Sequence, residues 1–305
     1  PVPFDSESVV YVWIDALINY VSAVGFAQDE ALFQKWWPCD LHVIGKDITR
    51  FHCVIWPAML MSAGVPLPRQ VVGHGFVFFR GERMSKTLGT VVDPLDAAEK
   101  FGPDPLRLYL AREIAFGQDG DFSWERFEAR YNADLANNLG NLVSRVTSMA
   151  AKYREGVLRS SGGPGGALRT KAEAVLDRYR RAMESLALQE GVGAAFELVG
   201  AVNEFITESE PWALAKDPSK ADRLSQILYD VAEATRIAAL LLLPVMPGSA
   251  KEISRRMGGG ATMASPKLGS AVWGSAGELR IVPGPSLWPR LEGNPRAITR
   301  ERSKW

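Results

Sequence analysis

Leu41-His42-Val43-Ile44-Gly45-Lys46-Asp47-Ile48, residues 41–48, is the stretch that decides the fold. A short β-patterned run stops at a glycine, and a helix-patterned segment from about Asp47 to Met61 follows. Upstream, Val9-Val10-Tyr11-Val12-Trp13-Ile14 is a near-continuous apolar run. That pattern predicts a strand in a parallel sheet covered on both faces, with a helix from near Asp15. Downstream, Val71-Val72 and Phe76-Val77-Phe78-Phe79 add β character around Gly73-His74-Gly75. Strand, helix, strand, helix predicts an α/β arrangement over residues 1–115.

After about residue 120 the pattern predicts helix only. Leu135, Leu139, Leu142, Val146, Met149 and Tyr153 step by three and four, which is one helix face. Val175, Tyr179, Met183 and Leu186 make a second face, and Leu198, Val202, Phe205 and Ile206 a third. Leu224, Ile227, Leu228, Val231, Ile237 and Leu241 make a fourth. Ser160-Ser161-Gly162-Gly163-Pro164-Gly165-Gly166 reads as a flexible link. The expectation is an all-α antiparallel bundle over residues 116–290. Residues 291–305, with Arg296, Arg300, Arg302 and Lys304, are expected to form a disordered basic tail.

The 305 residues suffice for one large domain or two ordinary ones. Their 47% hydrophobic and 23% charged content is that of a globular protein. Acidic and basic residues balance, which neither requires nor excludes a nucleic-acid partner, since such partners are held by local patches. Two cysteines, Cys39 and Cys53, are too few and too badly spaced for a zinc knuckle or a disulfide framework, so a reducing cytoplasm is expected. The longest apolar run, residues 237–245, falls short of the roughly 20 residues a membrane span needs. It reads as the buried end of a helix. No signal peptide is visible, and the opening at Pro1 suggests a piece of something longer.

Three constellations carry chemistry. Arg83-Met84-Ser85-Lys86-Thr87, followed by Gly89, lies in a polar loop after a β segment. Lys86 is a mobile point charge for a triphosphate, and Arg83 is a fork-shaped donor. Spacing alone also describes a solvated basic turn. Ile48, His52 and Trp56 recur at i, i+4 and i+8 and so share a helix face. With Trp13 at the expected strand end, where α/β folds bind ligands, they suit an aromatic, polarisable cage. The alternative is that both tryptophans are core and His52 is a hydrogen-bonded core histidine. Asn137, Asn141 and Arg145 step by four along a stripe set off from the apolar one. Their amides and guanidinium can pair with a base edge, although a solvated polar face has the same composition.

The loop resembles the KMSKS signature of class I aminoacyl-tRNA synthetases. Arg83 stands for its first Lys and Thr87 for its last Ser, while Lys86 matches its second Lys. Residues 11–20 and 42–60 are similar to the methionyl members of that family, as are residues 131–145, the segment Glu210-Pro211-Trp212-Ala213-Leu214 and the connecting stretches 104–109 and 116–123. The resemblance covers residues 1–291. It implies the second half of a Rossmann-like catalytic domain followed by a helical anticodon-binding domain. It implies methionine contacts from Trp13, Ala16, Tyr20, Ile48, His52 and Trp56. It implies ATP or adenylate contacts from Gly45, Asp47, His74, Met84 and Lys86, with Lys86, Arg83 and Ser85 as catalytic groups. It implies anticodon reading by Asn137, Asn141, Arg145 and Trp212, the last as a stacking platform; a core tryptophan is the alternative. The implied partners are tRNA(Met), methionine and ATP with Mg²⁺.

No His-x-Gly-His motif occurs in the sequence. In the family it lies in the N-terminal half, which also precedes the inserted domain that often carries zinc. No metal site is therefore expected here, and the missing half is expected as a partner. A half-fold is also expected to expose apolar surface. Two other readings stay open: a non-catalytic tRNA-binding truncation, and a related synthetase for another apolar amino acid.

Overall fold

The computed structural model describes residues 2–9, 11–84, 92–160, 166–259 and 266–291. They divide into two compact units, Pro1–Phe76 with Gly117–Asp119, and Val77–Phe116 with Gly120–Trp305.

The first unit opens on helix α1 (Val12–Ser22), not on a strand. This corrects the β reading of residues 9–14. A strand needs a neighbour to satisfy its backbone, and no described segment pairs with this one. A helix bonds to itself, and this one buries Leu17 and Val21, four residues apart, while Val12, Ile14 and Ile18 stay exposed. Helix α2 (Glu30–Trp36) follows, capped by the Asp29 carboxylate accepting from the Leu32 N–H.

Strand β1 (His42–Gly45) ends at the expected glycine. The chain then winds through a tight turn at Lys46–Ile48, a π-helical turn at Phe51–Ile55 and helix α3 (Trp56–Ser62). Strand β2 (Val71–His74) returns parallel to β1, with His42 opposite Val71 and Gly45 opposite His74. A parallel pair needs such a crossover. Leu17, Phe33, Trp37, Trp56 and Leu60 form the core between the helices.

The second unit begins with β3 (Val77–Phe79) and β4 (Glu82–Arg83), which pair antiparallel. Helices α4 (Pro94–Phe101) and α5 (Pro103–Glu113) lead to β5 (Gly120–Phe122), which lies parallel to β3. Asp93 caps α4 and Pro94 takes its first position, where a missing N–H costs nothing. The expectation of helix alone after residue 120 is thus corrected at β5, whose Phe122 joins Leu106, Tyr109 and Phe127 in a small aromatic core.

From Trp124 to Arg154 the chain is one long helical rod: α6 (Trp124–Arg130), a π-helical stretch at Tyr131–Gly140, and α7 (Asn141–Arg154). Strand β6 (Val157–Leu158) follows. Helices α8 (Gly166–Glu184), α9 (Leu188–Ser209), the short α10 (Pro211–Leu214), α11 (Ala221–Leu242) and α12 (Pro247–Arg256) complete the bundle. Its core takes the apolar faces read from the sequence, among them Leu139, Leu142, Leu198, Val202, Leu228 and Leu241. The run from Ile237 to Leu242 is buried at the end of α11, as its composition requires.

A segment without a helical pattern then returns across the bundle. Its strand β7 (Leu279–Arg280) pairs antiparallel with β6, a second departure from helix alone. Asn132 accepts from the Leu291 N–H at 2.9 Å and donates to the Leu291 carbonyl at 3.1 Å. Among the described residues no helix is long and apolar enough to cross a membrane.

Candidate functional site

In the first unit the helix bend at residues 46–56 sets the site. Gly45 closes β1 at φ −69°, and a Cβ added there would meet Asp47 Oδ1 at 2.6 Å. The absence of a side chain therefore lets the Asp47 carboxylate fold back over the strand end. Lys46 pairs with Asp119 at 2.6 Å, and Asp119 also accepts the Phe76 N–H at 2.8 Å. The lysine bond and that N–H hold the Asp119 carboxyl below its usual range. His74 stands exposed at the end of β2, its Nδ1 3.0 Å from the Gly75 carbonyl.

Beside this bend four rings from two helices gather. Trp13 and Tyr20 come from α1, His52 and Trp56 from the bent helix. The Trp13 and His52 rings meet edge-on at 5.9 Å, Tyr20 and His52 at 5.6 Å, and Tyr20 and Trp56 at 6.0 Å. His52 is fully buried. Its Nδ1 lies 3.0 Å from the Ile48 carbonyl and so carries the proton. Its Nε2 is then the acceptor for the Tyr20 hydroxyl at 2.9 Å. Burial raises the Tyr20 pKa above the ordinary phenol value, with the nearby Cys39 adding to it, so this hydroxyl keeps its proton.

Behind the rings, Trp56 Nε1 donates to His42 Nε2 at 3.3 Å, which fixes the His42 tautomer in turn. Burial, and then His52, lowers the His42 pKa and keeps that ring neutral. Ile48 is half-buried and Ala16 exposed on the same two elements. The arrangement is an aromatic, largely apolar cage with one oriented hydroxyl, chemistry that suits a polarisable thioether. Sequence spacing does not reveal Phe51. It stacks on Trp13 at 4.5 Å and 9°, held by the π-helical turn, which rotates residue 51 away from its α-helical position.

In the second unit, Arg83 pairs opposite Phe78 in β4, and Met84 packs against the small aromatic core. Ser85, Lys86, Thr87 and Gly89 lie outside the described residues, as do most of the predicted link at 160–166 and the predicted tail beyond residue 291.

Asn137, Asn141 and Arg145 line one side of an open groove of about 620 Å³. Asn138 joins them, and Asn203 and Thr207 of α9 form part of the facing wall. An i, i+4 step taken from Asn137 passes Asn138 over, although at 100° per residue Asn138 lies only about 20° from Arg145, seven residues on. The π-helical stretch turns less per residue and keeps Asn137 and Asn138 both on the groove side. Glu204 and Glu208 also line the groove, so its lining holds two carboxylates beside the one guanidinium of Arg145. Neutral amides dominate, which favours the edges of uncharged bases over a phosphate chain. Trp212 is 41% exposed in α10 and is not among the groove residues. Glu210, which precedes this short helix, has φ +43°, a left-handed residue that turns the chain sharply between α9 and α10.

Below the groove the rod is held by ions. Asp134 is buried between Arg112 and Arg130, at 3.5 and 4.0 Å. Burial raises its pKa, and the two guanidinium groups partly offset this.

Comparison with known proteins shows what the chain is similar to. Residues 1–147 match the family model for tRNA synthetases class I (M). A methionine–tRNA ligase of Streptomyces coelicolor is 45% identical over 97% of this chain and 57% of its own length. That of Thermotoga maritima is 45% identical over 84% of this chain and 41% of its own. The chain therefore spans about half the length of the curated relatives it matches. A Mycobacterium tuberculosis methionyl-tRNA synthetase solved with methionyl-adenylate superposes with a TM-score of 0.83 at 42% identity, over 95% of this chain and 58% of that one. Its free form gives 0.81 at 40% identity, over 96% and 58%.

Proposed function

The chain belongs to the methionyl group of the class I tRNA synthetases, and from that premise we propose that it carries the methionine pocket and the anticodon-reading face of a methionine–tRNA ligase. The reaction joins a methionine carboxylate oxygen to the α-phosphorus of ATP, with Mg²⁺, and releases pyrophosphate. A ribose hydroxyl of tRNA(Met) then takes the methionyl group and AMP leaves.

In this reading, residues 1–115 are the second half of a Rossmann-like catalytic domain and residues 116–290 the anticodon domain. The ring cage of Trp13, Tyr20, His52 and Trp56 is the observation that carries it, because it offers a thioether contact without a charge. Ala16 and Ile48 complete the methionine contacts. Gly45, Asp47, His74 and Met84 serve the nucleotide. Lys86, Arg83 and Ser85 stabilise the charge that develops on its phosphates. Asn137, Asn141, Arg145 and Trp212 read the anticodon. The two unpaired thiols suit a reducing cytoplasm.

The test is reconstitution. The chain is combined with the family's N-terminal half, which bears the His-x-Gly-His motif, and ATP–pyrophosphate exchange is measured. Exchange should depend on methionine and not on isoleucine or leucine, and Lys86→Ala should abolish most of it. A soluble, assembled pair without exchange overturns the ligase reading and leaves tRNA binding as the function. Exchange driven by another apolar amino acid assigns a different substrate.

A further inference from the structure

The groove between the π-helical stretch and α9 contains a hydrogen-bond ladder with a fixed direction. Arg145 Nη1 lies 3.3 Å from Asn203 Oδ1. A guanidinium only donates, so the Asn203 oxygen must face it. The Asn203 nitrogen therefore points the other way. It donates to Asn138 Oδ1 at 3.0 Å and to the Val199 carbonyl at 3.3 Å. This in turn fixes Asn138. Its oxygen is taken by Asn203, and its amide nitrogen has no partner among the described residues while the side chain lines the groove. The rest of the Arg145 guanidinium likewise makes no hydrogen bond to the described residues. The Arg145 guanidinium thus sets the direction of Asn203 on the far wall, and Asn203 sets that of Asn138.

We propose that Asn203 is a positioning residue that turns the groove into a donor-presenting surface, and that Asn138 is a specificity-determining residue whose amide donates to an acceptor on a base edge. The inference rests on the reading of the groove as the anticodon face and adds to it the polarity of the base contact. The ligand is an unstacked base offering a carbonyl oxygen or ring nitrogen. A base offering an amino group at that place would meet a second donor and leave both unsatisfied. Glu204 and Glu208 in the same groove disfavour a phosphate as the alternative occupant.

The experiment measures binding of the 305-residue chain to the anticodon stem-loop of tRNA(Met), and to loops with each anticodon base replaced, by fluorescence anisotropy at fixed salt. The native chain should prefer the unaltered loop. Asn138→Ala should weaken that binding about tenfold, the scale of one hydrogen bond, and erase discrimination at a single loop position. Asn203→Leu should weaken it at least as much, with the melting temperature recorded beside it. Asn203→Asp keeps the contact to Arg145 but forces the Asn138 amide to turn over and present its oxygen. It should therefore shift the preference at that same position toward a base with an amino group. A merely structural Asn203 would lower affinity for all loops alike. If the native chain discriminates while Asn138→Ala and Asn203→Asp keep its pattern, this proposal fails and the anticodon reading stands. If the native chain itself shows no preference among loops, the anticodon reading fails and takes the proposal with it.

Discussion

The Tyr20 hydroxyl donates to His52 Nε2 across 2.9 Å, joining two helices through a polar link inside an otherwise ringed cluster of the first unit. His52 is fully buried, so an unmade bond there is costly. Tyr20→Phe should lower the unfolding free energy by about 1–3 kcal/mol, the cost of a buried acceptor left without its donor. Urea unfolding followed by tryptophan fluorescence reads it. An unchanged midpoint would show that the bond contributes nothing.

Gly75 lies against the returning strip Gly117–Asp119, and a Cβ at residue 75 would collide with the Gln118 carbonyl. Gly75→Ala must push the strip away. It should cost about 1–3 kcal/mol, as overpacking does. It should also loosen the Lys46–Asp119 pair and the Phe76 N–H bond. Hydrogen exchange at the Phe76 amide should rise. Protection equal to the native chain's would contradict the close approach.

Glu233 and Arg236 are both fully buried and paired through two bonds of 2.7 Å. Arg236 also donates to the Ser270 and Val272 carbonyls, and Glu233 accepts the Gly274 N–H at 2.8 Å. Either Glu233→Leu or Arg236→Met alone leaves a buried charge uncompensated and should cost about 3–5 kcal/mol. The double variant should cost less than the sum of the two by about 1–3 kcal/mol. Additive effects in denaturant titrations would mean the pair is not coupled.

Burial pushes Asp230 up to about 6, and the Gln226 amide only partly compensates. An acid whose folded pKa is raised binds more protons folded than unfolded. Its contribution is therefore best below about pH 4 and is lost as pH rises through 6. Asp230→Asn keeps the acceptor for Gln226 and removes the charge. It should stabilise the protein at pH 8 by up to about 3 kcal/mol, because each tenfold change in proton affinity is worth about 1.4 kcal/mol. At pH 4 the same substitution should change little. Melting temperatures across that range check it. Equal effects at both ends would rule out the raised carboxyl.

Helices with long apolar stripes were legible because their period is local. Leu139, Leu142 and Val146, or Leu224, Leu228 and Ile237, fix a buried face whatever lies opposite. The glycine that ends β1 was equally plain. The run at residues 9–14 misled because all-round apolarity does not distinguish a buried strand from a helix with an exposed apolar side. Tyr11, Val12 and Ile14 are half exposed or more, and only Leu17 and Val21 pin the helix. Two site features had no signal in one sequence. Phe51 depends on a π-helical turn that breaks the 100° rotation, and Asn203 takes its role from partners 58 and 65 residues away, whereas Asn138 shares the Arg145 face at a spacing of seven. The short strands β5, β6 and β7 are too brief for a period to show.

Strand β6 finds its partner in β7, and Asn132 finds Leu291 across 159 residues of chain. Such distant closures are slow to form. During synthesis the rod bearing the groove emerges before the segment that seals it, and its flank waits for residues 279–291. A nascent helical unit therefore stays unsealed until residues 279–291 have emerged, and a stop codon shortly before Leu279 would leave β6 and Asn132 without those partners.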